Sequence, residues 1–381
     1  MRGVKRIAWL AVCLPLAFSA AGAAASEQEY IDRALEYLEQ GDGRAAIIEL
    51  KNAVQANPQN AEARMMLGEL YLQSGDAPDA VKELQRARDL GRNDDRLRLL
   101  LAQARLLTND FQAVIDDIPR DQPLADDIGA GLLAARGQAL FGIGRFDEAE
   151  ATLKRVVAER PVASAYHGLA RMALFQRDPG TAGKFISEGL AKFPDDTGLE
   201  ILKGEQQLQI HDFAGARATF ERLESENPYN LAAAIGLVRS ELALNRPEPA
   251  RLLIDDLLAR FPGSYALKLL RAIASLQAKD YLAAQSEANE VRAIADDNVA
   301  ALYVSGAASY GLGHYEQAAQ ALQRYVALAP NDPAGRKLLA ATQVRLGNPD
   351  AARAALGNPP ETADVEYLAL LGATAALSGD V

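Results

Sequence analysis

The stretch "GDGRAAIIELKNAVQANPQNAEARMMLGELYLQSGD", from Gly41 to Asp76, opens and closes on the same Gly-Asp pair, 34 residues apart. A fixed return of this kind points to an array of equal structural units. Prolines keep the same beat: Pro58, Pro161, Pro194, Pro228, Pro262 and Pro330, the later intervals being 33, 34, 34 and 68 residues. With Glu27 as position 1, position 8 is small in most units: Ala34, Gly68, Ala102, Gly137, Ala170, Gly204, Ala272, Gly306 and Ala340. Position 20 is alanine at 46, 80, 149, 182, 216, 250, 284, 318 and 352. Two helices that pack closely need a small side chain on each where their axes come nearest. Larger residues recur at position 24 (Leu50, Leu84, Leu153, Phe220, Leu322), where they fill the space beside that contact.

The Gly-Asp pair then marks the turn inside each unit. Its variants are Gly75-Asp76, Asn109-Asp110, His211-Asp212, Lys279-Asp280 and Gly379-Asp380. Glycine or asparagine adopts the left-handed conformation that ends a helix, and aspartate caps the next one. Between units, position 34 is Asn60, Asp94, Asp196, Asn230, Ser264, Asn298 or Asp332, all side chains that accept hydrogen bonds from free amides at a helix start. A proline two residues earlier discourages continuation of the preceding helix. Each unit is therefore helix, tight turn, helix, short capped turn, and the fold class is all-α.

These residues resemble the tetratricopeptide repeats over nearly all of the chain, ten units plus half of an eleventh. The resemblance implies a superhelical solenoid of antiparallel helix pairs across residues 26–381. The large aromatic common early in that family's first helix is mostly replaced, by Tyr30, His167 or alanine. A narrower stretch, "AAIIELKNAVQANPQNAEARMMLGELYLQSGD" with the following "AVKELQRARDLG", is similar to the TPR-repeat lipoproteins of the PEP-CTERM/exosortase system, envelope proteins linked with exopolysaccharide production.

Residues 1–25 stand apart: basic Arg2, Lys5 and Arg6, then an apolar run, then Ala23 and Ala25 before Ser26. This is the pattern of a secretory signal peptide with export to the periplasm. An uncleaved membrane anchor and lipidation at Cys13 are the alternatives. Cys13 and Trp9 are the only residues of their kinds, so a chain starting at Ser26 has no disulfide, thiolate metal site or cysteine nucleophile. Its formal charge shifts from -11 to -14, with 37 basic against 51 acidic residues. Such a surface repels phosphate backbones and anionic lipid heads, which argues against nucleic acid and against strong electrostatic membrane binding.

One unit breaks the pattern. Pro119 and Pro123 fall within "PRDQPLADDIGAG", so the second helix of the third unit is expected to be short or broken, leaving an irregular stretch at 115–129 that either bends the array or is merely degenerate. At the other end, "VEYLALLGATAALSGDV" supplies one apolar first helix, as expected of a fragment of a longer array or of an end covered by a partner.

Residues with catalytic patterning are scarce. His167, His211 and His314 lie in different units without a partner at metal-ligand spacing, and the paired aspartates, such as Asp255-Asp256, lack a calcium-loop pattern. "AASYG", around Ser309, sits within a predicted helix and not on a nucleophile elbow, and "GIGRFDE", from Gly142, is an interhelical turn. No catalytic residue, cofactor or metal is expected.

The surface that remains is the inner one. By resemblance to the family, the concave groove is lined by the first helices, here Ile31, Leu35, Leu38, Met65, Glu69 and Leu72, then Phe141, His167, Arg171 and Phe175, then Arg239, Tyr303 and Tyr310. A mostly apolar groove suits an extended peptide or an amphipathic helix of a protein partner. The expected role is a non-catalytic periplasmic scaffold for protein–protein interactions in an exopolysaccharide biosynthesis/export or PEP-CTERM protein-sorting system. The alternative is a carbohydrate-binding module guiding nascent exopolysaccharide, with Tyr303 and Tyr310 stacking on polysaccharide rings; the other reading of those two tyrosines is packing within the array.

Overall fold

The computed structural model describes residues 26–357 and 364–378. The expected leader with Trp9 and Cys13, and the Gly379-Asp380 turn, lie outside the described residues. Within them the chain forms 21 α-helices and no strand, in two compact units that divide between Arg160 and Pro161.

The first unit holds four hairpins: α1 (Glu27–Glu39) with α2 (Gly43–Ala56), α3 (Ala61–Gln73) with α4 (Ala77–Asp89), α5 (Asp95–Leu107) with α6 (Phe111–Asp117), and α7 (Asp127–Gly142) with α8 (Phe146–Glu159). The second begins with α9 (Ala163–Phe175) and α10 (Pro179–Lys192), then α11 (Thr197–Gln209) and α12 (Phe213–Glu226), then α13 (Leu231–Ala243) and α14 (Pro247–Arg260). It continues with α15 (Tyr265–Gln277) and α16 (Tyr281–Ile294), α17 (Val299–Gly311) and α18 (Tyr315–Leu328), and α19 (Pro333–Arg345) and α20 (Pro349–Leu356), and ends on α21 (Val365–Ser378). Each unit is a stack of antiparallel helix pairs, the all-α repeat expected from the period and the solenoid architecture that the family resemblance implies.

The small-residue contact is the axis of most hairpins, with Val114 in place of the alanine on α6 and Val238 in place of the small residue on α13, both buried. All nine alanines at position 20, from Ala46 to Ala352, are fully buried. A β-carbon added to Gly68 would lie 2.6 Å from Leu84 Cγ, one on Gly137 2.7 Å from Leu153 Cγ, and one on Gly306 2.6 Å from Leu322 Cγ. Glycine at position 8 is thus the space into which the position-24 side chain leans. The tightest case is Phe220, whose ring would meet a β-carbon on Gly204 or on Gly236 at 2.4 Å.

Turn chemistry follows the same register. Gly41, Gly75, Gly144, Gly313 and Gly347 have φ between 74° and 81°. Asn109, Arg177, His211, Asn245 and Lys279 hold the same left-handed conformation without being glycine, with φ of 57° to 62°. Asp42, Asp76, Asp178, Asp212 and Asp280 then cap the second helices through their carboxylates. All seven position-34 side chains accept an amide hydrogen bond, from Asn60 on Ala63 N at 2.9 Å to Asp332 on Gly335 N at 2.7 Å. At the start of α9 the equivalent residue is Val162, and that helix has no side-chain cap. This is where the two units divide.

The irregular stretch lies inside the first unit. Helix α6 stops after seven residues and leaves carbonyls without partners inside the helix. Arginines take over: Arg136 Nη1 donates to the carbonyls of Ile115 and Ile118, both at 2.6 Å, and Arg98 Nη2 to that of Asp117 at 2.9 Å. Ile118 and Gln122 are buried, so the segment is packed down onto its neighbours.

Overpacking a filled core typically costs about 1–3 kcal/mol, and removing a buried phenyl ring about 3–5 kcal/mol. Gly204→Ala and Phe220→Ala are expected to destabilise the second unit by these respective amounts in urea unfolding. A Gly204→Ala protein as stable as the wild type would show that ring and glycine are not in contact.

Candidate functional site

In the first unit the first helices α1, α3 and α5 lie side by side and enclose a cleft of about 550 Å³. Its floor is Met65, Ile31 and Leu70, all buried, with Leu38 and Met66 half-buried beside them. Leu35 stands on the rim with 45% of its surface exposed. The far wall is polar: Arg96 Nη2 of α5 donates to both carboxylate oxygens of Glu69 on α3, at 2.9 and 3.1 Å. The helical period accounts for the grouping. Ile31, Leu35 and Leu38 are four and three residues apart on α1, and Met65, Glu69 and Leu72 repeat that spacing on α3. The result is an apolar trough with one ion pair at its side, lined in part by two flexible methionines that adapt to irregular shapes.

Leu38 and Met65 contribute to this cleft, and Leu72 packs against the core beside it. Phe141, at the end of α7, tilts against Phe146 across the turn, with centroids 5.8 Å apart.

In the second unit the expected groove residues divide into two sets. Arg171 and Phe175 on α9 are exposed, and Arg239 on α13 is exposed with a guanidinium nitrogen 3.9 Å from Glu205 on α11. His167 faces along the stack: its Nε2 lies 2.6 Å from Asp196 Oδ1, the same oxygen that caps α11 through Leu199 N at 2.8 Å. Tyr303 and Tyr310 are half-buried in ring pairs, Tyr303 with Tyr325 at 5.3 Å and Tyr310 with Tyr315 at 5.6 Å. Burial raises the Tyr303 hydroxyl above its ordinary pKa; for Tyr325 burial, with the hydrogen bond it donates to Asp332, pushes the value up to about 12. Sequence alone did not show these pairings, because they join positions on different helices.

Residues with catalytic patterning have structural places. Ser309 lies inside the last turn of α17, 2% exposed, accepting from Gln285 Nε2 at 2.7 Å. The Gly142 segment is the turn from α7 to α8, where Arg145 pairs with Glu148 at 2.6 Å. Among the described residues, no group of three or more His, Cys, Asp or Glu side chains is placed to hold a metal ion, and no helix is long and apolar enough to cross a membrane.

Tetratricopeptide repeat models match residues 37–104, 207–273 and 310–374, and a second model of that description matches 134–197. The chain belongs to the tetratricopeptide repeat family. No curated protein sequence matches it. Among solved structures it is similar to yeast Tom70, at 13% identity and a TM-score of 0.47, over 93% of this chain and 89% of that one. It is also similar to a tetratricopeptide repeat protein from Parabacteroides merdae, at 14% identity and a TM-score of 0.42, over 74% and 98% of the two chains. A third is the APC/C hetero-tetramer Cut9–Hcn1, at 17% identity and a TM-score of 0.41, over 93% and 76%.

The His167–Asp196 contact has a consequence for acid stability. Burial alone would raise the Asp196 carboxyl, but the hydrogen bond from His167 and the amides of α11 outweigh it and hold the carboxyl below its ordinary value. A depressed carboxyl stabilises the fold above its unfolded pKa, and that contribution is lost as pH falls through the folded value. His167→Ala is therefore expected to lower the melting temperature near neutrality and to flatten its fall between about pH 5 and pH 2. Melting curves by circular dichroism that fall in parallel for both proteins would show that this contact contributes nothing.

Proposed function

We propose that the protein is a non-catalytic scaffold of the bacterial periplasm that holds a segment of a protein partner in the α1–α3–α5 cleft, within an exopolysaccharide biosynthesis/export or PEP-CTERM protein-sorting assembly. The observation that carries the reading is the cleft itself, an apolar trough of about 550 Å³ with the exposed Leu35 at its lip. Pockets of roughly 300–1,000 Å³ take up a compact ligand or a few side chains of a longer one. An amphipathic helix or extended peptide buries its apolar side chains against Met65, Ile31 and Leu38, and the Glu69–Arg96 pair supplies polar contacts that fix its direction. The envelope setting is supported by the leader pattern of residues 1–25 and by the similarity of residues 45–76 and 80–91 to the PEP-CTERM/exosortase repeat lipoproteins.

The test is site-specific photocrosslinking from Gln73, an exposed residue lining the cleft, in producing cells. The expected adduct is a protein of polymer synthesis, export or sorting. Leu35→Glu places an unpaired charge in the interface and is expected to weaken that capture by about tenfold or more, with the melting temperature unchanged. Adducts with unrelated envelope proteins only, or full capture by the Leu35→Glu protein, would count against the reading.

Export and cleavage have an independent readout. Trp9 is the only tryptophan, so protein recovered from the periplasm is expected to show tyrosine emission without tryptophan emission. Tryptophan fluorescence from that fraction would mean that the leader is retained.

A further inference from the structure

A second cavity, of about 300 Å³, lies in the second unit, between the second helices α16 and α18 and above the first helix α17. Its lining is unlike that of the α1–α3–α5 cleft: Ala321 is its one apolar residue. The floor is made by two serines of α17, four residues apart and hence on one face. Ser305 is 5% exposed and its hydroxyl has no partner among the described residues. Ser309 accepts from Gln285 Nε2 at 2.7 Å, and its own hydroxyl proton has no acceptor among the described residues. The walls carry side-chain amides. Asn289 of α16 and Gln320 of α18 are exposed at the mouth, with no side-chain partner among the described residues.

Two guanidiniums complete the lining and are already neutralised. Arg292 Nη2 donates to Asp296 at 3.2 Å, and Arg324 donates to Asp296 from Nη1 at 3.1 Å and Nη2 at 2.8 Å and also bonds Asp297. Arg292 Nε is buried with no partner among the described residues. The cavity thus offers a pair of serine hydroxyls and amides that both donate and accept, with arginine charge balanced by aspartate. Leaving such groups unpaired costs free energy, and a ligand that satisfies them recovers it. An apolar side chain would leave them unpaired, and an anion would find little net positive charge. A ring bearing several hydroxyls, each both donor and acceptor, matches them.

From the hydroxyl floor, amide walls and neutralised arginines we infer that the α16–α17–α18 cavity binds a neutral sugar residue. This goes beyond the peptide-binding cleft, lies on different helices, and does not use Tyr303 or Tyr310, whose rings are taken up in pairs with Tyr325 and Tyr315.

The experiment is saturation-transfer NMR and calorimetry on the full chain with glucose, galactose, N-acetylglucosamine and glucuronic acid at millimolar concentration, and with tetra-alanine. At least one neutral sugar is expected to bind saturably. The double variant Asn289→Ala/Gln320→Ala, which alters only exposed side chains, is expected to weaken that binding by about tenfold or more with an unchanged melting temperature. Ser305→Val is expected to do the same from the floor; where it fails to fold, the double variant decides. Leu35→Glu is expected to keep full sugar affinity, so that failure here and failure of the peptide-binding reading are told apart. Saturable binding of none of the sugars, binding of glucuronic acid or tetra-alanine alone, or sugar binding unchanged in the double variant would overturn the inference.

Discussion

The structure depends on one contact, repeated in most pairs: an alanine with no exposed surface on the second helix, set against a small residue on the first. Ala46, Ala80, Ala149, Ala182, Ala216, Ala250, Ala284, Ala318 and Ala352 are each fully buried where the paired helices meet. A hairpin held this closely still leaves apolar surface on both flanks, too small a unit to hide it alone. Stacking the next pair on that surface completes the core, as Phe220 does by reaching past Gly204 of its own hairpin to Gly236 of the next. Axial closeness within a pair and burial between pairs are thus two results of the same choice of small residues.

This explains which parts of the molecule were legible in the sequence. The alanines, the glycines opposite position 24 and the capping side chains at position 34 are each set by local geometry, and local geometry is what a period records. The truncation of α6 was legible for the same reason, through Pro119 and Pro123. How that truncation is closed was not, since Arg136 is 18 and 21 residues from the carbonyls it bonds. The left-handed positions were half legible. Glycine and asparagine announce them, whereas Arg177 and Lys279 are held there against their own preference by the helices on either side.

The candidate sites divide along the same line. Leu38 and Met65 were legible because one face of a first helix is a matter of spacing, and α1 and α3 bring those faces together. His167, Tyr303 and Tyr310 share that spacing, but what each touches is fixed by a partner in another helix: Asp196, Tyr325 and Tyr315. The polar cavity was not legible at all. Gln285, Ser305 and Gln320 belong to three helices and three different positions in the repeat, and an isolated Gln or Ser on a helix looks like ordinary solvated surface.

An array that commits one face of each helix to its neighbours has two faces left to vary, and here they differ in chemistry. Between the first helices α1, α3 and α5 lie methionine, leucine and a single ion pair, groups that gain by excluding water and so suit the apolar side of a peptide. Between the second helices α16 and α18 lie amides and serine hydroxyls, groups that lose water contacts only to gain equivalent ones and so need a ligand rich in hydrogen-bonding groups. The repeat scaffold constrains neither set, because its own stability rests on the small-residue axis between them. On the two proposed readings, substitutions at Leu35 or Gln320 change what is bound while the alanines that hold the helices together stay untouched.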